Sequence, residues 1–215
     1  MFASIAGKYD FANHLLSGGM DFIWRWRAAR HVREWGAGRI LDLATGSGDL
    51  ALTLLKACPG VELVAADFCA EMLEVARRKG VPNTVVADGL ALPFENGSFD
   101  GVTVAFGLRN MASWDGALAE MYRVLRPGGH VLVLDFALPK GPLRWVYRKY
   151  LHHVLPRLAG WVTGRKAAYD YLGESIEKFP SGAAMRALME GVGFREVKCE
   201  ALTGGVVGLY VGRRH

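Results

Sequence analysis

Cysteine is scarce in this chain of 215 residues. Cys58, Cys69 and Cys199 are odd in number, far apart and free of any CxxC or Cys/His spacing. That excludes a disulfide framework or a zinc centre as the organising device; reduced thiols, a cytoplasmic setting and no metal are expected. Long apolar runs are also missing. Segments such as 131–134 and 206–211 fall far short of the roughly 20 residues that a membrane-spanning helix needs. The few apolar residues after Met1 give way to Lys8 and Asp10 before an export-signal core can form. No internal repeat, low-complexity tract or linker interrupts the sequence.

What is there is apolar and basic. A hydrophobic fraction of 51% over this length suits one α/β domain with a single core and leaves little room for a second. The net charge of +5 suits an anionic partner, nucleic acid or a lipid surface, and composition does not choose between them.

From Arg39 onward, short β-branched runs alternate with amphipathic stretches of helical length, as in βαβ units with a mainly parallel sheet. Strands are predicted at 39–44, 61–67, 84–87, 99–105, 130–136, 195–201 and 206–212, with helices at 49–57, 70–79, 114–125 and 181–192. Only four residues join the last two strands, too few for a parallel crossover, so they should form an antiparallel hairpin. The predicted fold is therefore α/β and Rossmann-like, a seven-stranded mainly parallel sheet with an antiparallel C-terminal hairpin and helices on both faces. Residues 1–215 are expected to form one domain, with 1–38 a helical cap and 142–170 a helical insertion over the substrate.

Chemistry concentrates in the glycine loop RILDLATGSGDLA at 39–51, a buried strand that turns on glycines into a helix and lets a ligand approach the backbone. Gly46, Gly48 and Ala51 also fit a dinucleotide fingerprint. Asp67, 19 residues past Gly48, would present its carboxylate to a ribose diol with either cofactor class. Asp49 separates the two. It stands in the first helical turn, where a pyrophosphate would need bare N–H groups and positive potential. S-adenosylmethionine has no phosphate and carries a sulfonium and an ammonium, so Asp42 and Asp49 favour it; a helix-terminal acid without a ligand would also explain Asp49. Asp88 is placed to accept the adenine amino group, beside Leu90 and Leu92, or is simply a turn aspartate. The predicted cofactor set is Asp42, Ala44, Thr45, Gly46, Ser47, Gly48, Asp49, Asp67, Phe68, Asp88, Gly89, Ala105 and Phe106.

Further motifs follow in order: KYDFAN at 8–13, LLS at 15–17, LDLA at 41–44, GSGD at 46–49, ALPF at 91–94, FGLRN at 106–110, YRVLRPGG at 122–129, HVLPR at 153–157, YLGES at 171–175 and LTGGVV at 202–207. In this order and over nearly the whole length, the chain resembles the ubiquinone/menaquinone biosynthesis C-methyltransferase family, whose fold is the class I methyltransferase fold. The resemblance implies that Ser47, Asp67, Asp88, Gly89 and Ala105 stand at cofactor-contacting positions. Three departures are visible. Ala105 replaces a frequent Ser, Asp88-Gly89 replaces Asn-Ala or Asp-Ala, and Phe179-Pro180 replaces His-Pro, removing one candidate base.

The implied reaction moves a methyl group from sulfonium to a ring carbon of a reduced, prenylated quinol, either a demethylmenaquinol or a ubiquinol precursor. Carbon attack needs an electron-rich ring, so the enzyme should stabilise a phenolate and align carbon, methyl and sulfur. Arg109 is the first candidate for that stabilisation, because arginine is permanently charged; an ordinary salt bridge would also account for it. Asn110 would bind a quinol oxygen, and Tyr171 or His153 would relay the proton, although a solvated helix position suits His153 as well.

Between residues 142 and 166 lie six Arg or Lys and no acid. Apolar positions, Leu143, Val146, Tyr147, Tyr150, Leu151, Val154, Leu155 and Leu158, recur there at helical spacing, with Trp145 and Trp161 near the ends. Such a stretch suits peripheral docking on an anionic membrane surface, at the inner face of the cytoplasmic membrane, with Phe22, Ile23, Trp24 and Trp26 as a second apolar contribution. A cap packed on its own domain, or a homodimer contact, would use the same surface. Nucleic acid is disfavoured as substrate because FGLR replaces an NPPY-like turn after the fourth strand. An NAD(P)-dependent oxidoreductase is disfavoured by Asp49. The fold itself is equally compatible with methylation of a different small aromatic or lipid acceptor, and with a non-catalytic cofactor-binding module.

Overall fold

The computed structural model describes residues 17–154 and 166–215. The N-terminal cap contributes α1 (Met20–Glu34), which precedes β1 (Arg39–Leu43), α2 (Asp49–Ala57), β2 (Glu62–Asp67), α3 (Ala70–Arg78), β3 (Asn83–Val86) and β4 (Phe99–Ala105). A 3-10 turn (Leu108–Asn110) leads to α4 (Trp114–Val124) and β5 (Leu125–Phe136). The insertion follows as α5 (Pro142–Lys149), a π-helical turn (Tyr150–Val154) and α6 (Lys166–Lys178), before α7 (Ala183–Val192), β6 (Arg195–Leu202) and β7 (Val207–Arg213). The predicted elements are all present, with ends shifted by a few residues at most places. β5 differs most. The sheet pairing begins at Leu125, opposite Phe99, and a bulge separates it from the main ladder that starts at Gly101 and His130.

All seven strands form one sheet in the order β3-β2-β1-β4-β5-β7-β6. The predicted hairpin is present, but β7 is threaded between β5 and β6 and is antiparallel to both. Burial explains the placement. Val207, Gly208, Leu209 and Tyr210 are buried in succession, as a strand covered on both faces requires, whereas β6 alternates with exposed positions and takes the edge.

Alternate residues of the strands feed two cores. Leu41, Leu43, Val102, Val104, Val131 and Val133 meet α4 and α7 on one face. Ile40, Leu63, Ala65, Leu132 and Leu134 meet α1, α2 and α3 on the other. On α1, Ala28 and Ala29 let the helix lie close on the sheet, and Trp24 packs against Phe106 and Phe136 at 6.0 and 6.1 Å while its Nε1–H donates to Thr203 Oγ1 at 2.8 Å. The cap therefore belongs to the same core as the sheet. Leu151 and Ile176 anchor a third cluster, with Tyr147, Tyr150 and Phe136, that ties the insertion to the end of β5.

Candidate active site

The carboxyl ends of β1, β2, β4 and β5 converge where the strand order reverses, between β1 and β4, the usual ligand crevice of such sheets. Two non-glycine residues adopt positive φ there, Ala44 just after β1 (52°) and Phe106 just after β4 (57°). This conformation is strained for residues with a Cβ and tends to mark functional turns. The two turns pack so tightly that a Cβ on Gly107 would collide with the Cβ of Ala44.

The glycine loop turns as predicted. Gly48 has φ of 85°, and a Cβ there would lie 2.6 Å from Val81 Cγ2, so both conformation and space demand glycine. Asp67 staples the loop to β2. Its Oδ2 accepts Gly46 N–H at 2.7 Å and its Oδ1 accepts Cys69 N–H at 2.9 Å. Burial pushes the Asp67 carboxyl up, and those backbone bonds pull it partly back. Phe68, next to it, is 78% exposed.

Asp42, on β1, is 1% exposed. Thr45 Oγ1 donates to its Oδ2 at 2.6 Å and Thr103 Oγ1 to its Oδ1 at 2.7 Å. Burial raises its pKa to about 6 against the effect of those hydroxyls and of Arg25. Asp49 is engaged differently. Lys79 Nζ lies 2.9 Å from its Oδ1 and Arg25 Nη2 lies 3.6 Å from its Oδ2. Much of the charge expected at Asp49 to repel phosphate is therefore balanced by side chains, whereas Asp42 is held by neutral hydroxyls.

Ser47 and Gly89 are buried, Thr45, Gly46 and Ala105 half-buried, and Asp88 exposed. Asp88 Oδ1 accepts Leu90 N–H at 2.9 Å, so this residue does hold a turn. A Cβ on Gly89 would stand 2.9 Å from Met111 Sδ. An alanine here would require the flexible Met111 side chain to shift.

Arg109 is buried on the 3-10 turn, its side chain only 3% exposed. Nη1 donates to Asp135 Oδ1 at 2.7 Å and to the Phe106 carbonyl, while the Arg109 N–H faces Asp135 Oδ2 at 3.3 Å. Its guanidinium also lies 5.2 Å from the Phe136 ring centroid. Arg109 thus does form a salt bridge. Yet its Nε is buried and has no hydrogen-bond partner among the described residues, rare for a protein interior. Asn110, the next residue, is exposed. His153 lies on the π-helical turn and Tyr171 on α6; their side chains, like Trp161, Leu155 and Leu158, lie outside the described residues.

Sequence reasoning missed Asp135, Thr103 and Arg25, and counted Tyr147 only as an apolar position. Tyr147 reaches from α5 into this region. Burial and Tyr150 push its hydroxyl far up, while the charge of Arg109 pulls the other way. An aspartate closing the apolar run HVLVLD was the available signal for Asp135.

An acid-rich, glycine-turned crevice at the switch point of a 3-2-1-4-5-7-6 sheet defines an S-adenosylmethionine-dependent methyltransferase of class I. The donor set fits that cofactor, with a carboxylate at the end of β2 for its ribose and a buried acid on β1 for its positive charge. The ubiE/COQ5 methyltransferase family matches residues 1–214, and the chain belongs to it. It is 50% identical to the demethylmenaquinone methyltransferase of Thermus thermophilus, with both chains fully covered. It is 44% identical to the ubiquinone/menaquinone biosynthesis C-methyltransferase UbiE of Syntrophotalea carbinolica, covering 100% of this chain and 92% of the relative. Among solved structures, a SAM-dependent methyltransferase from Thermotoga maritima matches with a TM-score of 0.72 at 18% identity, over 100% of this chain and 98% of that one, a likeness of fold.

Proposed function

We propose that the enzyme methylates a ring carbon of a reduced, prenylated quinol, a demethylmenaquinol or a ubiquinol precursor, in respiratory quinone synthesis. The names of the full-length relatives support the substrate class. The observation that carries the chemistry is Arg109, a buried cation with an unused Nε–H at the end of β4, beside the insertion. When bound, S-adenosylmethionine supplies a methyl group activated on sulfonium. Arg109 favours the phenolate form of the acceptor by charge and by hydrogen bonding, which places electron density on the ring carbon. Asn110 orients a quinol oxygen, and His153 and Tyr171, carried by the insertion, are the proposed outlet for the phenolic proton. Asp42, Ala44, Thr45, Gly46, Ser47, Gly48, Asp49, Asp67, Phe68, Asp88, Gly89, Ala105 and Phe106 make up the proposed cofactor surface. The test is methyl transfer from labelled cofactor to reduced benzoquinol and naphthoquinol acceptors, with product mass analysis. Label on a ring carbon of either supports the reading; label on oxygen, or none on either acceptor, overturns it.

The insertion and cap form the proposed membrane face. No helix among the described residues is long and apolar enough to cross a bilayer. On α1, Phe22, Ile23 and Trp26 are exposed, and on α5 so are Leu143, Trp145 and Val146. Both helices border the turn at 203–205. Trp24 bonds to Thr203, and a Cβ on Gly204 would touch Leu143 Cδ2 at 3.1 Å. Arg144 and Lys149 flank the α5 patch with positive charge, a combination suited to shallow insertion among anionic headgroups, while Arg148 is paired with Glu177 at 2.6 Å. Flotation with anionic liposomes should recover the protein at low salt and lose it at high salt, and Trp26→Glu with Trp145→Glu should abolish recovery. Absence of binding at low salt would leave these helices as a cap or a contact between two copies, which sedimentation would distinguish.

A further inference from the structure

Arg25 lies on the inner side of α1, its side chain 12% exposed, among carboxylates. It pairs with Asp21 on its own helix, stands 3.6 Å from Asp49 at the start of α2, and lowers the pKa of Asp42 on β1 through its charge. Its guanidinium carbon is 5.7 Å from the ring centroid of Phe106, the strained residue after β4. One side chain of the cap thus reaches the three elements that shape the glycine-loop crevice.

The crevice needs a cation for a reason set by its ligand. S-adenosylmethionine has two positive groups and one carboxylate. Asp42 and Asp49 suit the positive groups and Asp67 the ribose, but a surface of acids alone would repel the carboxylate. Three cations border the loop among the described residues. Lys79 bonds to Asp49, and Arg109 is held by Asp135 and the Phe106 carbonyl. Arg25 makes one hydrogen bond among the described residues, to Asp21, although a guanidinium has five N–H donors in a fork matched to a carboxylate. Its distance to Asp49 is that of an ion pair, beyond hydrogen-bond length.

We propose that Arg25 binds the carboxylate of the cofactor's amino-acid moiety, so that the cap helix α1 completes the cofactor site. Asp21 holds the guanidinium from behind, and the donors facing Asp49 and Phe106 meet the ligand. The inference rests on the cofactor alone and is independent of which acceptor is methylated.

Two ligands read by titration calorimetry test it: S-adenosylhomocysteine, and the same thioether lacking only the carboxyl group. A hydrogen-bonded charged pair is worth about tenfold to a hundredfold in affinity. Arg25→Gln should weaken S-adenosylhomocysteine by that factor and shift the carboxyl-free thioether by less than about threefold, while Arg25→Lys keeps part of the preference. Equal losses for both ligands, or no loss for either, would overturn the assignment. Thermal melting of each variant separates a displaced helix from a lost contact.

Discussion

Arg109→Ala is expected to lower kcat by about a hundredfold to a thousandfold, the range for removing one preorganised charge-stabilising donor, while cofactor affinity stays within about threefold. Its burial makes a purely structural role the competing explanation, because the ion pair with Asp135 lies wholly inside the protein. Removing Arg109 strands a buried carboxylate, which costs roughly 3–5 kcal/mol of stability on any account. Activity loss alone therefore decides nothing. The informative protein is Arg109→Met combined with Asp135→Asn, which removes both charges and keeps an acceptor near the Phe136 N–H, now bonded to Asp135 Oδ1 at 2.8 Å. If Arg109 only holds the fold, the pair should recover stability and turnover together. If its unused Nε–H and its charge serve the acceptor's oxygen, the pair should melt near the parent temperature and stay slow. Recovery of turnover in the double variant would sink the catalytic assignment.

Much of this molecule is legible in its sequence, for reasons that name particular residues. Strands 39–43 and 99–105 are short apolar runs bounded by glycine and polar residues, and the helix at 49–57 starts where Gly48 forces a left-handed turn. Such local signals leave little choice of element or boundary. Strand order is less accessible. The hairpin follows from the four-residue connection, but the pairing of β7 with β5 depends on which strand is apolar on both faces, and Val207–Arg213 is that strand. The contrast between VVGLYV and REVKCEAL carries that signal. At the site, motif residues with backbone or local roles, Gly46, Gly48 and Asp67, stand where spacing puts them. Side chains meeting across long sequence separations do not announce themselves. Arg109 and Asp135 are 26 residues apart and belong to separate strand ends. Arg25 reads as one more basic residue of a surface helix until the fold sets it against Asp49.

Asp42→Asn is expected to stabilise the protein at neutral pH, a second large effect and of opposite sign. The Asp42 carboxyl is buried, and burial lifts its pKa from 3.8 to about 6 despite two hydroxyl donors and Arg25. A folded-state pKa above the unfolded one means that the folded protein binds the proton more tightly between pH 4 and 6. The contribution to stability is intact below about pH 4, falls as pH rises through the folded-state pKa, and above it the ionised acid penalises the fold by roughly 3 kcal/mol. Asparagine carries no such penalty and keeps an acceptor for the hydroxyls of Thr45 or Thr103. Denaturant melts at pH 7.5 should show the variant more stable by up to that amount, with the difference vanishing near pH 4; a less stable variant at pH 7.5 would refute the argument. A buried acid that costs stability is the kind of residue kept for a ligand. On the proposed cofactor reading, the positive charge of S-adenosylmethionine draws the Asp42 proton off, so binding near pH 6 should release a fraction of a proton in the parent and none from this position in Asp42→Asn. Calorimetry in two buffers of different ionisation enthalpy reads that fraction directly, and equal release by both proteins would place the cofactor's charge elsewhere in the crevice.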